Sequence, residues 1–261
     1  MSSSRFYTTR LQAGLGLIEE TRLLLGLYQP GMTPVQLCAA ALASGQFPLV
    51  SARRLRNVVA ECFAPRYLKV PGVAPLLKNL LQRFTSAELN QLLFLYTARA
   101  NPILADFVRE VYWARYSAGH NDINLDDART FVLNSVREGK TQKPWSDSTM
   151  KRVSTYLVGC CADYGLLTRT GRTQRSITAY RIQPKVAAYL AYELRFSGLG
   201  DNQIVGHPDW ELFGLEREDV REQLKRLSLQ GLLIFQAASH VVHIGWTYKT
   251  LEEVIDVITQ G

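Results

Sequence analysis

Apolar residues recur at helical spacing through the first half of the chain. Leu15, Ile18 and Leu25 open a stripe that stops at Tyr28-Gln29-Pro30-Gly31, a strong helix breaker. Thr33-Pro34 reads as an N-cap followed by a first-turn proline and predicts a helix to about Ser44. Ser51 heads the next helix, with Leu55, Val58, Val59 and Cys62 on one face. Thr85-Ser86-Ala87-Glu88 has the form of a capping box ahead of a helix over 89–98. Asn101-Pro102 repeats the cap-plus-proline device for a helix to about Tyr116, and the polar stretch 117–124 is the first internal boundary.

The pattern then changes. Asn124 caps a predicted helix to about Glu138, followed by the basic loop Gly139-Lys140-Thr141-Gln142-Lys143-Pro144. A second helix is predicted from Asp147 to Tyr164, closed by Gly165. Two β-type runs, 166–170 and 176–182, are joined by Gly171-Arg172-Thr173-Gln174-Arg175, a length suited to a hairpin. Helix, loop, helix and hairpin is the order of a winged helix-turn-helix. A related order follows: a helix over 215–230, Gly231, a hairpin from 232–236 and 240–246, and a final helix behind Thr250-Leu251-Glu252-Glu253. Tyr164-Gly165-Leu166-Leu167 and Gln230-Gly231-Leu232-Leu233 occupy matching places, a weak hint of duplication. The expected architecture is mainly α: a helical N-terminal region (1–123), a basic winged-helix-like domain (124–196) and an acidic winged-helix-like unit (197–261), with small β-hairpins.

Composition adds limits. A chain of 261 residues with 47% hydrophobic and 20% charged residues is globular and buries a core without metal or disulfides. No apolar stretch reaches the roughly 20 residues a membrane helix needs, and Glu19, Glu20 and Arg22 interrupt the first one, so a cytoplasmic protein is expected. Cys38, Cys62, Cys160 and Cys161 lack metal-ligand spacing and read as packed free thiols. The net charge of +7 is uneven: residues 125–186 hold 11 Lys/Arg against 5 Asp/Glu, whereas residues 187–261 hold 6 against 11. A basic body beside an acidic end suggests a polyanion surface joined to a differently used module.

The basic stretch supplies the candidate interface. Met150, Val153, Leu157, Cys160 or Cys161, and Tyr164 form the core stripe of the 147–164 helix, leaving Ser148, Lys151, Arg152, Thr155 and Gly159 on the other face. Such a face suits the major groove, with Gly159 allowing close approach to a backbone strand. Lys140 and Lys143 in the preceding loop, Arg169, and Arg172 and Arg175 at the hairpin tip extend the surface to phosphates. The plain alternative is an ordinary solvated face, since the fold alone does not imply nucleic acid. Arg53 and Arg56, with Asn57 beside them and Arg54, Arg66 and Lys69 near, form a second basic helix face upstream.

Chemistry is hard to find. Gly14-Leu15-Gly16 lacks the lysine of a phosphate-binding loop, and no GxSxG elbow or HExxH helix occurs. His240 and His243 fall on opposite faces of a strand, and the Asp126-Asp127 and Glu252-Glu253 pairs sit in first helical turns, where they complement the dipole. No catalytic residue, metal site, cofactor or small-molecule substrate is expected.

Several segments carry a resemblance: Arg10-Leu11-Gln12-Ala13-Gly14 with Glu20-Thr21-Arg22-Leu23-Leu24-Leu25, Ser51-Ala52-Arg53-Arg54-Leu55, Pro102 to Trp113, and Trp145 to Leu167. Over residues 5 to about 190 the chain resembles the BrxA family of the bacteriophage exclusion (BREX) defence systems. The resemblance implies a mainly helical DNA-binding accessory protein acting with other BREX proteins that carry methyltransferase and ATPase activity. The expectation is therefore non-enzymatic binding of double-stranded DNA. An adaptor docking on an acidic partner, or an RNA-binding protein, is the alternative.

Overall fold

The computed structural model describes residues 6–13, 15–169, 175–238 and 241–260. It is mostly helical, and its strands form small antiparallel sheets. Among the described residues no helix is long and apolar enough to cross a membrane. The chain groups into two units, Met1–Arg83 with Leu93–Ala179, and Phe84–Leu92 with Tyr180–Gly261.

The first unit begins with helices whose starts follow the local chemistry. Helix α1 spans Ile18–Leu27, and α2 spans Pro34–Ala43 behind a full Thr33–Gln36 capping box. Helix α3 (Ala52–Asn57) starts where Ser51 accepts the Arg54 N–H, and it runs on as a wide π segment, Val58–Leu68, that contains Pro65. The wider turn tolerates a residue that has no N–H to donate and whose ring would crowd an α-helical carbonyl. Helix α4 is Val73–Leu80. Helix α5 (Ser86–Ala100), whose first turns to Leu92 group with the second unit, opens on the expected box, with the Glu88 carboxylate 2.7 Å from the Thr85 N–H.

Two expectations fail locally. Asn101 does not cap the next helix: its amide reaches back to the Thr97 carbonyl at 2.8 Å, and α6 (Pro102–Phe107) begins on the proline alone. Through the π turn Val108–Tyr112 it leads into α7, Trp113–Ser117. The stretch 117–124 is not purely a boundary loop either. Asp122–Ile123 forms β1, which pairs with β3 (Arg175–Ile177), and β3 pairs with β2 (Leu167–Arg169), giving the order β1-β3-β2. Strand β3 ends short of its predicted bound, where the Thr178 hydroxyl and N–H both meet the Leu166 carbonyl, at 2.6 and 3.0 Å; the far end of the first predicted strand, at 170, lies outside the described residues. Between them in sequence lie α8 (Leu125–Arg137), on a full Asn124–Asp127 capping box, and α9 (Asp147–Asp163), capped by Ser146.

One buried polar cluster ties this unit together. Arg66, expected beside a basic surface, is only 3% exposed. It lies four and seven residues beyond Cys62 and Val59, on their apolar stripe, and donates to the Leu15 and Gly16 carbonyls at 2.9 and 3.2 Å. The Tyr164 hydroxyl also meets the Gly16 carbonyl, at 3.1 Å, and shares a 2.7 Å bond with Thr97. The Gly16 N–H donates to the Asp163 carboxylate at 2.8 Å. A cation removed from water needs such acceptors, and here they are backbone carbonyls of the N-terminal segment.

In the second unit α10 (Pro184–Phe196), a helix the sequence pattern did not single out, packs with α11 (Asp201–Val205), α12 (Arg217–Leu229) and α13 (Leu251–Thr259). Strands β4 (Leu233–Ala238) and β5 (Val241–Trp246) form the expected hairpin, longer on its first strand. Fully buried Trp210 donates to the Ile204 carbonyl at 2.8 Å. The box at Thr250 is half formed: its hydroxyl takes the Glu253 N–H, but the Glu253 carboxylate takes Lys249 instead. The matching corners at Gly165 and Gly231 do share one device. Each glycine has positive φ, and the residue after it donates back five positions, from Leu166 to Cys161 and from Leu232 to Leu227. The same bonds close helices at Gly139 and Gly198, so the corner is a recurrent helix end and says nothing of duplication.

The polar cluster predicts a sharp contrast in stability. Arg66→Met strips the Leu15 carbonyl of its donor and leaves Gly16 with Tyr164 alone, and should cost about 3 kcal/mol, lowering Tm by roughly 6–12 °C. Exposed Arg53→Ala should stay within about 0.5 kcal/mol. Equal melting curves for both variants would show that the cluster does not stabilise the fold.

Candidate nucleic-acid interface

Helix α9 is two-sided, as its spacing requires. Val153, Leu157, Cys160, Cys161 and Tyr164 are buried, Met150 is half-buried, and Ser148, Lys151, Arg152 and Thr155 are exposed along one line. Neither Lys151 nor Arg152 has a carboxylate within ion-pair distance among the described residues, so both charges face solvent uncompensated. The Thr155 hydroxyl donates to the Lys151 carbonyl at 3.0 Å and turns partly inward on the helix. Packing of α8 against α9 fixes the stem, and the Arg115 guanidinium anchors the start of α8 through Asp127 at 2.9 Å.

The rear of the same face is closed. A Cβ at Gly159 would sit 3.1 Å from Leu15 Cδ1, and one at Gly16 would sit 2.7 Å from Asp163 Cβ. Gly159 therefore admits the protein's own N-terminal segment and not a nucleic-acid strand, which corrects the sequence expectation. Burial outweighs the Gly16 N–H and lifts the Asp163 carboxyl above the usual carboxylate range. The neighbouring thiols are inert by the same cause: burial pushes Cys160 up to about 12 and raises Cys161 as well. All four cysteines are free and buried, as the spacing implied.

The remaining candidate residues divide. Lys143 is exposed in the loop before α9. Lys140 is half-buried and held by Glu138 and Glu110 at 3.3 and 3.6 Å, so its charge is already matched. Its carbonyl accepts the Tyr7 N–H at 2.8 Å, which ties the loop to the N-terminal segment. Arg175 is not at a hairpin tip: it opens β3, half-buried, directly opposite Arg169. Arg172 lies outside the described residues, as does His240. Upstream, Arg53, Arg54 and Arg56 are exposed on α3, and Arg56 Nε donates to the Ala52 carbonyl at 3.2 Å. Among the described residues no group of His, Cys, Asp and Glu is placed to hold a metal. The structure thus gathers Ser148, Lys151, Arg152 and Thr155 on one open half-helix, and sequence reasoning missed the segment that closes the other half.

Comparison with known proteins gives three results. The model of the BrxA family matches residues 5–193. A search of curated proteins returns no match. Among solved structures, an uncharacterized protein from Magnetospirillum magneticum is similar, with a TM-score of 0.61 at 17% identity over 79% of this chain and 97% of that one. At that identity the likeness concerns the fold alone.

Closure by Leu15 predicts that Gly159→Leu destabilises by about 1–3 kcal/mol, since the added side chain must displace its neighbour. Thr155→Leu, on the open half of the helix, should change stability by no more than about 0.5 kcal/mol. A Gly159→Leu protein that melts like wild type would mean that Leu15 is not seated there.

Proposed function

This chain belongs to the BrxA family, and from that premise we propose that it serves BREX phage defence as a non-enzymatic protein that binds double-stranded DNA. Family membership supports the role in BREX phage defence; the DNA-binding activity is our reading of the surface. The observation that carries it is the uncompensated Lys151–Arg152 pair on the open, N-terminal half of α9. The sequence β1-α8-α9-β2-β3 with sheet order β1-β3-β2 agrees with a winged helix whose second helix enters the major groove by its N-terminal residues. Ser148 and Thr155 supply hydroxyls on the same line. The exposed face of α3, with Arg53 and Arg56, extends the electrostatic footprint. Other BREX proteins are the partners this reading expects.

Reversing Lys151 and Arg152 to Glu should reduce affinity for duplex DNA at least about a hundredfold in a mobility titration while Tm barely changes. Lys225→Glu with Arg226→Glu, the same charge change on exposed positions of α12, should bind nearly as wild type. If the α9 reversal binds normally and Arg53→Glu with Arg56→Glu does not, the upstream helix is the DNA surface. Stronger retention of RNA than of duplex DNA would favour an RNA-binding protein. Binding of neither would favour an adaptor.

Salt supplies an independent check. About four to seven phosphate contacts predict that log K falls with log salt at a slope of roughly −4 to −6. A slope near zero would remove phosphate contact as the source of binding.

A further inference from the structure

The first unit holds a recess of about 470 Å3 whose charges are all of one sign. Arg10, Arg66, Lys69 and Arg99 line it, and no carboxylate does among the described residues. Several other cations of the unit have acidic partners: Arg109 with Asp106 at 3.4 Å, Arg129 with Asp126 at 2.8 Å, Lys140 with Glu138 at 3.3 Å. Arg10 and Lys69 have no ion pair among the described residues.

Two of the four charges are fixed in place before anything binds. Arg66 is buried and held by the Leu15 and Gly16 carbonyls, so its cation is a permanent part of the wall. The Arg99 guanidinium lies over the ring of Tyr96, 5.2 Å from its centroid, and that ring is itself buried. Arg10 and Lys69 are exposed and bring mobile charges to the rim. Cations crowded into a half-sheltered site repel one another more strongly than on open surface, and a multiply charged anion removes that cost. The volume falls within the range of about 300–1,000 Å3 typical of small-ligand sites.

We propose that this recess binds a small polyanion of the phosphate class, a di- or triphosphate group, either free or at the end of a nucleotide. Arg66 and Arg99 supply fixed positive charge at the floor, while the exposed Arg10, with its planar donor fork, and Lys69, as a point charge, close over the ligand. Duplex DNA is a poorer occupant, because it presents its phosphates along a broad rod that meets open faces such as that of α9. The site does not depend on the DNA-binding reading.

The test uses the full chain without divalent cation and compares inorganic tripolyphosphate, ATP and adenosine by titration calorimetry and thermal melting. Tripolyphosphate and ATP should bind saturably and raise Tm, and adenosine should do neither. Equal affinity for the first two assigns recognition to the phosphate chain alone, and tighter ATP binding adds the nucleoside; both outcomes support the site. Lys69→Glu and Arg10→Glu, at exposed positions, should each weaken binding about tenfold or more. The Lys151→Glu, Arg152→Glu protein should bind tripolyphosphate as wild type does. The proposal is overturned if no saturable binding occurs at millimolar ligand, or if the Lys69 and Arg10 variants bind unchanged. It is overturned equally if Lys69→Glu costs duplex affinity as much as the α9 reversal and duplex displaces tripolyphosphate, since the recess would then be part of a DNA footprint. Loss of duplex binding alone leaves it standing.

Discussion

A guanidinium buried to 3% exposure must find acceptors inside the protein, and Arg66 finds them in the carbonyls of Leu15 and Gly16. This bond helps hold the N-terminal segment, which includes a 3-10 turn at Arg10–Ala13, against the π segment and α9. The chain enters α1 immediately afterwards through Leu17, whose φ of 50° is costly for a side-chain-bearing residue. Strain of this kind persists only where the surroundings over-determine it. Here they do: Arg66, Tyr164 and Asp163 all bond to the two residues before Leu17, and Tyr164 is linked through Thr97 towards Tyr67.

The seated segment then decides how much of α9 remains available. From Gly159 onward the helix face is occupied by Leu15 and Gly16; from Ser148 to Thr155 it is open. Hence a helix whose charges balance, with Lys151 and Arg152 against Asp147 and Asp163, keeps only its Ser148–Thr155 half open, and that half carries both cations. The tie between Tyr7 and the 139–144 loop acts in the same sense. It draws Lys140 into a carboxylate cluster and leaves Lys143 exposed. Charge at this surface is thus concentrated by subtraction: internal partners neutralise some cations and leave others bare.

Arg66 also connects the two surfaces of functional interest. Its carbonyl acceptors lie on the segment that closes α9, while its guanidinium forms part of the basic recess. The residue therefore combines a structural bond with a fixed positive charge. Both follow from its position on the Val59–Cys62 stripe, because a cation on an apolar face needs acceptors inside the protein, here the backbone oxygens of Leu15 and Gly16.

Local chemistry alone determined much of this protein. Capping at Thr33, Ser51, Thr85 and Asn124, the helix ends at Gly165 and Gly231, the β4–β5 hairpin and the polar line of α9 were all legible, because each rests on residues a few positions apart. The family resemblance was legible as well, and the match over residues 5–193 bears it out. What the sequence could not reveal depends on distant partners. The two-residue β1 exists only because β3 lies beside it, and Asn101 looks like a cap until Thr97 claims its amide. Helix α10 is apolar nearly all round, so its packing among α11, α12 and α13 left no two-sided pattern to read. Gly159, Lys140 and Arg66 were residues of surface type whose surroundings arrive from 50 or more positions away in two of the three cases. Charge and periodicity say what a side chain can do; only the folded chain decides which of those options its neighbours have already taken.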